Sequence, residues 1–125
     1  MIKGIGIDIL KIDKIATTIA NPSDPFITKT YTANELNIIY DRPMPLYAFA
    51  TRFAGKEAIF KCFGVDGNAI RLNELEILES KEGQPIVLLH GSAKQIADQK
   101  GIAKIFISLS YDTDYAVAYA TAISS

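Results

Sequence analysis

The feature that most restricts the fold is the stretch Leu46–Phe63, the longest regular segment of the chain. Arg-Pro-Met-Pro (42–45) breaks the chain before it, and Gly64 stands where a helix C′ glycine belongs. With 125 residues, 49% of them hydrophobic, the chain suits one domain, residues 1–125, packed around that helix. A chain of this size buries roughly two-thirds of its unfolded surface, enough for a core without staples.

The flanking segments read as strands and short helices. Ile5, Ile7 and Ile9 alternate with Gly4, Gly6 and Asp8, giving a strand over Lys3–Ile9 with one bare face. Ile12, Ile15 and Ile19 recur at helical spacing, and Asn21–Pro25 breaks that helix. Thr32-Ala-Asn-Glu35 fits a capping box for a second short helix. Leu75–Ile77 and Ile86–Leu89 flank Lys81–Pro85 as a hairpin, and Ser92–Lys100 reads as a helix closed by Gly101. Ile105–Tyr111 and Tyr115–Ile123 alternate on either side of Asp112-Thr-Asp114, with Ala116, Ala118, Ala120 and Ala122 on one face. Val65–Leu72 has no clear period. The expected class is α+β, a mostly antiparallel sheet wrapped on the long central helix.

Several chemistries are excluded early. One cysteine, Cys62, rules out an intrachain disulfide framework and a cysteine-built zinc site. One histidine, His90, leaves little for histidine-based metal or triad chemistry, and it reads as structural. The net charge of −1 gives no global field toward nucleic acid or an anionic membrane. No apolar segment approaches ~20 residues. MIKGIGIDIL has no signal-peptide pattern, so the expected location is the cytoplasm.

Two carboxylates stand out. On a helical wheel, Leu46, Phe49, Ala50, Phe53 and Phe60 form a stripe with Glu57 in its middle. A carboxylate there must be paired, bound to a cation or protonated. Lys61, at i+4, offers a structural pair. Asp8 sits near a strand end on the glycine face, where glycines admit a ligand or another backbone; the alternative is an aspartate that caps the following helix. Carboxylates from two elements can hold Mg²⁺ between them. Arg52, Lys56 and Lys61 are placed to clamp phosphate, against the commoner outcome of solvated charge. Lys11 and Lys14 form a small basic face in an otherwise neutral chain. Cys62 reads as core packing.

The segments Gly4-Ile-Gly-Ile-Asp-Ile9, Arg52-Phe-Ala-Gly-Lys-Glu-Ala-Ile-Phe-Lys61, Gly83-Gln-Pro85 and Ile107-Ser-Leu-Ser-Tyr-Asp-Thr-Asp-Tyr-Ala116 resemble, in order and spacing, the holo-acyl-carrier-protein synthases of the phosphopantetheinyl transferases. The resemblance runs from the first residues to the last strand. It implies that Asp8 and Glu57 hold Mg²⁺, that Lys61 contacts coenzyme A phosphate, and that Asp8, Glu57 and Lys61 are the catalytic set. Arg52, Lys56, Gly83, Pro85, Ser110 and Tyr111 are then expected along the coenzyme A site. The helix after Asp8 is expected to dock acidic acyl carrier protein, with Lys11 and Lys14 as the basic contacts. The family assembles as homotrimers with active sites between subunits. Two departures are visible: Tyr111 replaces the usual histidine after Ser-x-Ser, and Leu10-Lys11 replaces a glutamate that commonly follows Gly-Ile-Asp-Ile.

The reaction implied is attack of a serine hydroxyl of apo acyl carrier protein on the β-phosphate of coenzyme A, with adenosine 3′,5′-bisphosphate leaving. Glu57 is the candidate proton acceptor. Two other readings stand beside it: a non-catalytic homologue that binds coenzyme A or a carrier protein, favoured by Tyr111, and a transferase dedicated to a specialised polyketide or polyunsaturated-lipid carrier. Retention of both Asp8 and Glu57 argues against the binder.

Overall fold

A computed structural model describes residues 1–125. The order is β1 (Ile2–Lys11), α1 (Asp13–Ile19), α2 (Pro25–Thr30), α3 (Ala33–Tyr40), α4 (Pro45–Phe63), a 3-10 turn at Leu72–Glu74, β2 (Leu75–Glu79), β3 (Pro85–Leu89), α5 (Gly91–Lys100), β4 (Lys104–Tyr111) and β5 (Tyr115–Ile123). The α+β expectation holds, and all strand pairs are antiparallel. The strands divide into a three-stranded sheet, β1-β5-β4, and a separate β2-β3 hairpin. No helix is long and apolar enough to cross a membrane.

The three-stranded sheet has a small-residue inner face. Gly4, Gly6 and Asp8 of β1 lie opposite Ala122, Ala120 and Ala118 of β5, which in turn face Ile105, Ile107 and Leu109 of β4. The four alanines of β5 are fully buried. This shallow face lets α4 lie directly on β1 and β5. A Cβ on Gly4 would stand 2.1 Å from the Cys62 carbonyl oxygen, and one on Gly6 would stand 1.9 Å from that of Ala58. The bare face of β1 is therefore bare so that a helix backbone can approach.

α4 starts with Pro45 at its first turn and stops at Gly64, whose φ of 62° ends the helix in the left-handed region. It is buried on nearly every side, including Thr51, Arg52 and Lys56. This corrects the wheel reading. Phe49 and Ala50 are core, whereas Leu46, Phe53, Glu57 and Phe60 form a partly exposed seam. Glu57 is at the edge of the core, not in its middle.

The predicted capping box is formed: Thr32 accepts from Glu35 N–H and Glu35 accepts from Thr32 N–H. α2 has no counterpart in the sequence reading. Asp24 caps it at Phe26 N–H, 2.9 Å away, and Pro25 opens it; the Asp-Pro pair carries that signal and reads equally as a turn.

Candidate functional site

Asp8 lies on the inner face near the end of β1, opposite Ala118. Its carboxylate accepts from Lys61 Nζ at 3.2 Å, and the same ammonium donates to Ile7 O at 2.7 Å. The helix-cap alternative for Asp8 falls away, because Ile12 occupies the N-cap of α1 without a side-chain bond. The Glu57–Lys61 pair, the structural alternative at i, i+4, is also not made; Lys61 reaches across to β1 instead. Glu57 feels all of this. Its pKa is pushed up, first by burial and then by the negative charge of Asp8, with Lys61 pulling the other way. Two carboxylates from different elements therefore repel each other at the α4–β1 junction, and one half-exposed lysine offsets them only in part.

That donor set fits a hard divalent cation. Mg²⁺ takes one or two protein carboxylates and keeps its other positions for water and phosphate oxygens. No cluster of three or more acidic, histidine or cysteine side chains forms an all-protein cage anywhere in the chain.

A second constellation stands at the opposite edge of the sheet. A cleft of about 720 Å³ runs between β4 and the β2–β3 hairpin, with Arg52, Glu79, Gly83, Pro85, Lys104 and Ser108 in its walls. Gly83 takes φ 84° in the tight turn closed by Gly83 N–H to Ser80 O, a conformation that favours glycine. A neighbouring cavity of about 410 Å³ is lined by Arg42, Tyr47, Thr51, Arg52 and Tyr111. There the Tyr111 ring stacks on Tyr47, centroids 4.8 Å apart at 19°. Tyr111 thus lies on the helix side of the sheet, away from Tyr115 and Tyr119 on the outer side. Ser110 has the opposite parity to Tyr111, pairs with Val117 and faces outward, in neither cleft wall.

Arg52 borders both spaces. Its Nε donates to Ile77 O at 3.1 Å and its guanidinium approaches Glu79 at 3.9 Å. Glu79 pairs more closely with Arg42.

Lys56 contradicts the phosphate-clamp expectation. Its side chain is 0% exposed and paired with Glu35, also 0% exposed, at 2.8 Å. A buried ammonium with its acceptors already supplied by protein has nothing to offer a ligand. In the sequence Glu35 reads only as a cap; its second role spans α3 and α4, and no local spacing announces it. Lys11 and Lys14 are both exposed, but only Lys14 lies on α1; Lys11 ends β1, because the strand runs on past Ile9 and pairs Lys11 with Tyr115. His90 is structural: Nε2 lies 3.0 Å from Glu76 Oε1. Burial tends to raise the Glu76 pKa, but bonds from Thr32 and His90 outweigh it and hold the carboxyl below its usual value. Cys62 is core, and burial pushes its thiol up to about 11 despite a backbone bond from Ala122.

Residues 4–120 match the family model of the 4′-phosphopantetheinyl transferase superfamily. The chain is 42% identical, over 93% of its length and 88% of the relative's, to the holo-[acyl-carrier-protein] synthase of Ruminiclostridium cellulolyticum. The crystal structure of the Plasmodium yoelii holo-ACP synthase superposes with a TM-score of 0.86 at 35% identity, covering 100% of this chain and 97% of that one. The Bacillus anthracis enzyme, solved in complex with CoA (3′,5′-ADP), superposes with a TM-score of 0.81 at 28% identity, covering 100% and 99%.

Proposed function

The chain belongs to the holo-acyl-carrier-protein synthases of the 4′-phosphopantetheinyl transferase superfamily, and on that basis we propose that it transfers phosphopantetheine from coenzyme A to a serine of an apo acyl carrier protein, with Mg²⁺, releasing adenosine 3′,5′-bisphosphate. The observation that carries this reading is the meeting of Asp8, Glu57 and Lys61 where α4 crosses β1.

Asp8 and Glu57 would hold Mg²⁺, which when bound supplies charge neutralisation at the pyrophosphate. The chain's own groups do the rest. Lys61, half exposed and tied to Asp8 by one bond, swings to a phosphate oxygen. Glu57, directly or through a water, accepts the proton of the attacking serine hydroxyl. The serine oxygen bonds to the β-phosphorus as the bridging oxygen leaves with adenosine 3′,5′-bisphosphate. Gly83 and Pro85 form the coenzyme wall with Arg52, and Tyr111 packs beside it on Tyr47. Lys11 and Lys14 meet the acidic carrier protein.

The working unit is a homotrimer with sites between subunits. β1 and β4 are the two edges of the three-stranded sheet, so within one chain the Asp8–Glu57 pair and the cleft beside β4 stand at opposite edges. A neighbouring copy that brings its cleft edge to the β1 edge of the first completes the site, and head-to-tail contacts of this kind close into a ring. The outer sheet face supports such an assembly, with Ile5, Ile7, Ile9, Phe106, Tyr115 and Tyr119 all exposed.

The test is chromatographic detection of adenosine 3′,5′-bisphosphate from coenzyme A. Release only when apo carrier protein and Mg²⁺ are both present is expected. No release with a range of apo carriers would reject transfer and leave the binding-only reading.

A further inference from the structure

β2 has a partner strand on one edge only. Along its other edge, side chains from α3 and α4 stand where a neighbouring strand would be. Arg52 Nε donates to Ile77 O at 3.1 Å, and Glu35 Oε2 accepts from Ile77 N–H at 2.8 Å. One helical turn beyond Arg52, Lys56 Nζ donates to Leu75 O at 2.7 Å, to Leu72 O at 3.0 Å and to Glu35 Oε1 at 2.8 Å. Glu35 Oε1 also accepts from Thr32 N–H at 2.9 Å. All three ammonium protons and both carboxylate oxygens are therefore used, and no buried side-chain polar atom in the chain lacks a partner.

Such a pair is an expensive way to fill space, since apolar side chains of equal volume often stabilise as well. Its distinguishing property is direction. Three backbone carbonyls and one amide of the segment Leu72–Ile77 are held to α4 and α3 by bonds of fixed geometry. A one-residue slip of β2 along α4 would break every one of them. The segment leads directly into the hairpin that carries Gly83 in its turn and Pro85 at the start of β3, one wall of the 720 Å³ cleft.

We propose that Lys56, locked by Glu35, is a positioning residue that sets the register of the β2–β3 hairpin on α4 and thereby places the hairpin wall of the coenzyme cleft. This rests on the reading of that cleft as the coenzyme site. Lys56 touches no substrate in this account. It acts through Leu72, Leu75 and, by way of Glu35, Ile77.

The experiment compares Lys56→Met with Ile15→Ala, a core deletion in α1 remote from the hairpin, in the full-length protein well below either melting temperature. Two readouts are taken: calorimetric affinity for adenosine 3′,5′-bisphosphate, and amide hydrogen exchange. For Lys56→Met the affinity should fall roughly ten- to a hundredfold, the scale of a misplaced binding group. Exchange should quicken selectively in residues 72–89. Ile15→Ala should lose stability, keep the nucleotide affinity within about twofold, and show no selective change in the hairpin. If Lys56→Met fails to fold, Glu35→Gln takes its place; it keeps an acceptor for Ile77 N–H, turns an amide donor toward Lys56 in place of the acceptor, and should show the same selective pattern. Nucleotide affinity within twofold of wild type, or exchange that quickens no more in 72–89 than elsewhere, would overturn the proposal. Failure of the wild-type protein to bind the nucleotide would instead sink the coenzyme reading, while the exchange data would still decide whether Lys56 sets the hairpin.

Discussion

Glu57 shows what the site costs the fold. Burial and the charge of Asp8 push its pKa up, so its ionised form is less at ease in the folded chain than in the unfolded one. The sign follows from linkage: with the folded-state pKa above the unfolded value, the stability contribution is full below the unfolded pKa and is lost as pH rises through the folded one. Glu57→Gln should therefore raise the melting temperature of the ligand-free, metal-free protein at pH 7. The gain, less than about 1 kcal/mol at a partly exposed position, should vanish below the ordinary carboxylate range. The same variant, like Asp8→Ala, should lose phosphopantetheine transfer, several kcal/mol of barrier in the terms of a lost metal ligand. Paired melting curves at pH 3.5 and pH 7, with a transfer assay, check both halves. A Glu57→Gln protein that is active, or no more stable at pH 7, would count against the site.

At the scale of elements, the decisive contact is β1 against α4. Gly6→Ala would put a Cβ 1.9 Å from the Ala58 carbonyl oxygen, which only backbone movement can relieve. It should destabilise at or above the upper end of the ~1–3 kcal/mol typical of overpacking, and it should cost activity by prising Glu57 away from Asp8. Thermal melts and transfer rates of Gly6→Ala beside Gly67→Ala, where a Cβ meets open space, test this. Much of this layout was legible in the chain. Alternation placed Gly4, Gly6 and Asp8 on one face, Thr32–Glu35 announced its cap, and Gly64 and Gly101 marked helix ends. Lys56 was not legible. A helical wheel assumes a wet side, and α4 is enclosed by β1, β5, β4 and β2, so a lysine that local spacing assigns to solvent is buried beside a glutamate 21 residues away. The same enclosure explains why Glu57 marks a seam and why Lys61 chose Asp8 over its own helix neighbour.

The whole molecule presents two surfaces that a single copy leaves unsatisfied. One is the outer sheet face, where Ile7 is 60% and Tyr119 46% exposed and the two residues pair across β1 and β5. Ile7→Glu with Tyr119→Glu should convert the proposed trimer to monomer in light scattering and abolish transfer, although both side chains stand on the face of the sheet opposite to that of Asp8. A wild-type monomer at micromolar concentration would contradict the shared-site account. The other surface is the Lys11 and Lys14 face. Charge reversal at both should raise the KM for carrier protein about tenfold at low salt and leave coenzyme affinity alone, an effect that fades as screening lengths fall below ~10 Å; a salt series of the two KM values checks it. The most direct test of the central claim is intact mass spectrometry of apo acyl carrier protein after incubation with this protein, coenzyme A and Mg²⁺. The account predicts a mass gain of one phosphopantetheine on the carrier, absent with Glu57→Gln and absent when the carrier serine is replaced by alanine. A carrier whose mass stays unchanged under conditions where the protein binds coenzyme A would contradict it.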